Sequence, residues 1–161
     1  MAIYKSEERQ AVRPLGLSQT FFKVVHKEVM SQNKTALRQF LEPQQLIMSP
    51  AGAPKIVLTV EAVLKARPDF VCYSIDIKNA YNEISRKAII DVFEAEPSLR
   101  HLAQFMAVTL APYGALETGG KVYGESGDGV VQGSSEATAA FSAGLQPDLV
   151  ELDRRLKQGS Y

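Results

Sequence analysis

Apolar positions punctuate this chain unevenly, and one run that stands out is "FVCYSIDI", residues 70 to 77. It is β-branched and aromatic with little alternation, the pattern of a strand covered on both faces. It closes on one carboxylate, Asp76. Upstream, Ser18 stands where it can cap a helix running to about Phe40. Phe21, Val25, Val29, Leu37 and Phe40 share one face of it, and Pro43 follows its end. "RPLGL" (13 to 17) reads as extended, because Pro14 biases Arg13 toward β and Gly16 breaks a helix. Pro54 can open a second helix on which Ile56, Val57, Val60, Val63 and Leu64 have helical spacing. "IVLTV" within it would also suit a strand.

After the apolar run, Ser85 caps a predicted helix with Ile89, Ile90 and Phe93 inward and Pro97 at its close. Ser98 opens another with Leu99, Leu102, Phe105 and Met106 inward. "YGALETGGKVYG" (113 to 124) reads as a hairpin around Gly119 and Gly120. A glycine-rich loop then leads into "EATAAFSAG", a helix of small residues interrupted at Gly144 and Pro147. Pro147 starts a last helix, with acids in its first turns and Arg154, Arg155 and Lys157 in its last, as the helix dipole favours. The predicted fold is mixed α/β, with helices packed on a small antiparallel sheet.

Length and composition add bounds rather than detail. A chain of 161 residues suffices for one domain with a sizeable core. Eighteen basic residues balance eighteen acidic ones, so global charge points to no polyanion, although a local patch would suffice for one. The single cysteine, Cys72, cannot form an internal disulfide and reads as a small buried hydrophobe. The first ten residues lack the apolar core of a signal peptide, and no window has the length of a membrane span. The expectation is an intracellular protein without a membrane partner.

The candidate chemistry is thin residue by residue. Asp76 at a strand end, with the Ile77 carbonyl beside it, offers hard oxygen ligands to Mg²⁺, but a lone acid there also merely caps a turn. Tyr81 is either a flat wall beside that acid or a core tyrosine. Arg13 has the donor fork that grips phosphate, and by itself reads as a surface arginine. "GDGVVQGSS" (127 to 135) is neither a Walker loop nor G-x-G-x-x-G, since Gln132 occupies the last glycine position. "GESGDG" resembles the nucleophile segment of trypsin-like proteases, but the chain lacks their many-stranded pattern. His26 and His101 give neither a catalytic setting nor metal spacing.

The order of these segments is more specific than any one of them. "VRPLGL", "FLEPQQ", "SIDIKNAYNEISR" and "GDGVVQGSSEATAAFSAGLQP" together resemble the fingers and palm of reverse transcriptases, nearest to the non-LTR retrotransposon kind, over about residues 11 to 150. The resemblance implies one partial domain, fingers-like over about 1–69 and palm-like over about 70–161. It implies RNA-directed DNA synthesis from dNTPs, on an RNA template and DNA primer, with Mg²⁺. Asp76 and Ile77 match the first palm motif, which supplies a carboxylate and a carbonyl to the metal ions. Asn79 and Ala80 match the turn lining the nucleotide pocket, and Tyr81 the aromatic gate against a ribose 2′-hydroxyl. Arg13 matches a triphosphate-contacting arginine of the fingers. Gln132 and Gly133 match the "QG" of the second palm motif.

Two departures stand against that pattern. After "QG" the family continues Asp-Pro-Leu-x-Pro, where this chain has Ser134, Ser135, Glu136 and Ala137. The third palm motif, an aromatic-x-Asp-Asp hairpin, is not found in these residues. The chain by itself is therefore expected to be inactive, and the strand ending at Asp76 is expected to lack a neighbour and to favour self-association. Two other readings stay open. One is a decayed or domesticated retroelement protein that binds nucleic acid or protein as a scaffold. The other is an unrelated α/β interaction domain.

Overall fold

Ile89 and Phe93 lie one helical turn apart on a helix spanning Arg86–Ala95, and both are fully buried. What buries them is other helices. In the computed structural model, which describes residues 2–4, 12–14, 20–111, 114–118 and 120–159, the chain is mostly helical. The order is β1 (Ala2–Tyr4), β2 (Val12–Pro14), α1 (Thr20–Gln32), α2 (Lys34–Leu41), α3 (Gly52–Ala66), α4 (Ala80–Glu83) and α5 (Arg86–Ala95). A 3₁₀ turn (Arg100–Leu102) follows, then α6 (Ala103–Leu110), β3 (Gly114–Thr118), β4 (Lys121–Ser126) and α7 (Ala137–Lys157).

The expected sheet beneath the helices does not form. Among the described residues the strands make only two isolated antiparallel pairs, β1 with β2 and β3 with β4. The core is made instead by α2, α5, α6 and α7 with the turns between them: Leu37, Ile89, Phe93, Leu99, Leu102, Met106, Leu110 and Val130, closed by Ala137, Ala139, Ala140 and Ala143. Small side chains along α7 are what allow helix-on-helix packing here. Gly144 has no room for a side chain, since a Cβ there would stand 2.8 Å from Ile84 Cδ1 and 2.9 Å from Ile89 Cγ1. Gly144 and Pro147 therefore do not interrupt α7. The helix runs unbroken past Pro147 to Lys157, and its buried face ends at Gln146.

The apolar run is the largest departure. Residues 70 to 77 form no helix and join no ladder, and the side chains that were expected to be covered face solvent. Cys72 is exposed, not buried. The predicted first helix is divided at Asn33 into α1 and α2. Asn33 Nδ2 donates to the Val29 carbonyl at 2.9 Å, and its Oδ1 accepts from His101 Nε2 at 2.6 Å. Phe21 and Val25 are exposed, while Leu37 is buried, so only the second half of the predicted face reaches the core. Ser18 lies outside the described residues. Helix α3 forms, but its apolar positions are uncovered and only Gly52 is buried.

Other local signals hold. Ser85 caps α5, its hydroxyl accepting from Ala88 N at 3.3 Å. Ser98 caps nothing: its amide and hydroxyl both donate to Glu96 Oε1, and the chain enters α6 through the 3₁₀ turn. Leu99, Leu102 and Met106 are nonetheless buried. The hairpin pairs Gly114 with Ser126 and Thr118 with Lys121, with a register shift between Leu116 and Glu117. Gly120 adopts φ +75 in its turn, where a residue with Cβ is strained.

Candidate functional site

Two distant segments are latched together beside the acid at position 76. Asn79, in the left-handed region at φ 54, follows the apolar run and opens α4, and its Nδ2 donates to Glu83 Oε1 at 3.1 Å. The glycine-rich loop lies against this turn. Val130 N donates to the Tyr81 carbonyl at 2.7 Å, and Gly129 N donates to the Ile84 carbonyl at 2.9 Å. Gly129 has φ +73, and a Cβ on it would penetrate the Asn82 backbone, so glycine is required twice over. Arg86 closes the latch from α5: its Nε donates to the Gly129 carbonyl at 2.8 Å and its Nη2 to the Asp128 carbonyl at 3.3 Å.

Each residue singled out from the sequence has a definite place. Asp76 and Ile77 lie exposed in the apolar run, outside any strand, and Asp76 has no hydrogen-bond or ion-pair partner among the described residues. Ala80 and Tyr81 are half-buried. The Tyr81 ring stacks on Phe141 of α7, with centroids 4.7 Å apart and 14° between planes, and its hydroxyl is 3.5 Å from Thr138 Oγ1. Gln132 is half-buried and Gly133 exposed, three and four residues past the latch at Gly129. Gly133 has φ +94 with open space where a Cβ would stand. The backbone of Arg13 pairs with Ile3 in β2, and its side chain lies outside the described residues. The latch thus brings the turn at 79–84 and the loop ahead of Gln132 and Gly133 into one neighbourhood.

Metal chemistry finds few donors. Among the described residues, no three His, Cys, Asp or Glu side chains gather into a group able to hold an ion. Asp76 with the Ile77 carbonyl offers one carboxylate and one carbonyl, too few to hold two Mg²⁺ ions about 3.5–4 Å apart.

Three structural residues went unnoticed in the sequence. Glu136, in the stretch that departs from the reverse transcriptase pattern, is buried and its Oε2 accepts from His26 Nδ1 at 2.9 Å. Gln146 is buried and its Nε2 donates to the Phe40 and Leu41 carbonyls, at 2.9 and 3.2 Å, at the end of α2. Such carbonyls at a helix end lack partners within the helix, and the Leu41 carbonyl also accepts from Gln45 N at 2.9 Å. Arg86 was not singled out either. Glu136 stands between Ser135 and Ala137 and Gln146 between Leu145 and Pro147, so no local pattern marks either as buried.

Comparison with protein-family models, with curated proteins and with solved structures finds no match to this chain. Among the described residues, no helix is long and apolar enough to cross a membrane.

Proposed function

We propose that this chain is part of an RNA-directed DNA polymerase of the non-LTR retroelement kind, and that by itself it carries out no polymerisation. The observation that carries the reading is the ordered set of segments from "VRPLGL" to "VVQGSSEATAAF". Support comes from the contact between two of its members, the turn after Asp76 and the loop before Gln132, through Val130 N on the Tyr81 carbonyl. In the parent enzyme the partners are an RNA template, a DNA primer, dNTPs and Mg²⁺. Asp76 and the Ile77 carbonyl would give the metal one edge of its coordination, and further carboxylates would have to complete it. Asn79, Ala80, Tyr81, Gln132, Gly133 and Arg13 are assigned to the nucleotide.

Primer extension with the purified chain, an RNA template and Mg²⁺ is expected to give no product. Mg²⁺-dependent extension that Asp76→Ala abolishes would overturn the claim of inactivity. Reading the transcript beyond Tyr161 tests the parent activity, for which an in-frame aromatic-x-Asp-Asp segment is expected. A frame without it favours a second reading, a binding scaffold derived from such an element. One observation supports that second reading: Glu136, where the family pattern is broken, serves internal packing with His26. Salt-sensitive RNA binding that survives Asp76→Ala is its signature.

A further inference from the structure

Residues 70 to 77 are a strand in composition, yet they lie between α3 and α4 outside every helix and strand pair of the described residues. No backbone hydrogen bond involves residues 71 to 78 among the described residues. Drawn out as a strand, the run places Val71, Tyr73, Ile75 and Ile77 on one wholly apolar face, and Val71, Tyr73 and Ile75 are exposed by 75%, 87% and 83%. An uncovered strand of this kind is a template for another chain.

We propose that two copies of this chain pair through residues 70–77 as antiparallel strands about a two-fold axis at Ser74. The sequence of the strand selects both partner and register. Centred on Ser74, Tyr73 meets Ile75 of the other copy and Val71 meets Ile77, so all four apolar residues of that face find apolar partners. Moving the axis to Ile75 sets Val71 against Asn79, and moving it to Tyr73 sets Ile77 against Asp69. On the opposite face Ser74 meets itself, Asp76 meets Cys72, and Lys78 meets Phe70. A parallel, in-register pair would instead stack Asp76 on Asp76 and Lys78 on Lys78, a like-charge arrangement that opposes pairing. The same self-complementary surface is what an isologous dimer requires.

A two-stranded ribbon alone is marginal in water. Helix α3 supplies more apolar surface, since Ile56, Val57, Val63 and Leu64 are exposed on it. Only residues 67 to 69 separate it from the strand, so it lies next to the ribbon's end. The inference does not rest on the polymerase reading, and either can fail alone.

Light scattering at tens of micromolar is expected to give twice the 17.7 kDa chain mass. Ile75→Lys is expected to halve the apparent mass with unchanged circular dichroism, because Ile75 is exposed and joins no core contact. In a Cys72→Ser background, Ser74→Cys is expected to form a disulfide-linked dimer under mild oxidation about tenfold faster than the exposed control Lys87→Cys. Opposed residues at the axis bring their Cβ atoms within about 5.5 Å, near disulfide reach. A monomeric wild type overturns the proposal. So does a dimer that Ile75→Lys leaves intact, a ladder of larger species without a discrete dimer, or Ser74→Cys cross-linking no faster than the control.

Discussion

His26 Nδ1 and Glu136 Oε2 stand 2.9 Å apart, joining α1 to the start of α7 with little access to water on either side. The Phe105 ring packs edge-on against the imidazole, with centroids 5.1 Å apart. A carboxylate in such a place is costly without its donor. His26→Ala is therefore expected to destabilise the fold by about 1–3 kcal/mol, because it strands Glu136. That lowers the melting temperature by about 2–4 °C per kcal/mol for a chain of this size. Glu136→Gln keeps an acceptor for His26 and is expected to be milder. Equal melting temperatures for His26→Ala and wild type would show that the pair does not hold α1.

Gly129 and Gly133 both have positive φ, but only Gly129 is also crowded. Gly133→Ala should cost about 1–2 kcal/mol from conformation alone. Gly129→Ala adds a collision with the Asn82 backbone, and about 2–4 kcal/mol is expected. Chemical denaturation compares the two. Hydrogen exchange locates the damage, since the Gly129 and Val130 amides should lose protection in Gly129→Ala and keep it in Gly133→Ala.

The amide of Gln146 caps the end of α2 and accepts in turn from Gln45 Nε2 at 2.8 Å. Gln146→Leu fills the same space without donors. It leaves the Phe40 and Leu41 carbonyls without this donor, and a loss of about 1–3 kcal/mol is expected. A urea midpoint equal to wild type would refute this role.

Acid should loosen the end of α7 in a defined window. Arg154 and Arg155 both donate to Glu151, holding its carboxyl down to about 2 from an ordinary value of 4.5. The folded state thus binds this proton less readily than the unfolded chain. The contribution is complete above about pH 4.5 and fades as pH falls toward 2. The Glu151 carboxyl resonance should titrate near the low end of that window. Glu151→Gln should remove this part of the pH dependence of α7 helicity, and an unchanged acid profile would argue against it.

The sequence revealed helices wherever local signals agreed with burial, as for α5, with Ser85 at its cap and Ile89 and Phe93 on its inner face. It misled where the partner of a pattern lay elsewhere. The run from Phe70 to Ile77 has the composition of a buried strand, yet composition cannot supply the neighbouring strand that would bury it. Gly144 looked like a break because glycine is a poor helix former. Its real constraint, the approach of Ile84 and Ile89, is a long-range contact that no local window contains. The order of motifs was legible, and it carried only an expectation that the segments of Tyr81 and Gln132 share a pocket. The latch through Gly129 and Arg86 that draws those motifs together was not.

Helix α7 comes after every other described element, yet it holds Glu136 against α1, Phe141 against Tyr81, Gly144 against α5 and Gln146 against α2. During synthesis, which proceeds at about 5–20 residues per second, the earlier helices must therefore wait on the ribosome with their apolar faces open. Nascent chains stalled before α7 should recruit chaperones that hold exposed segments, and chains stalled well past it should escape them.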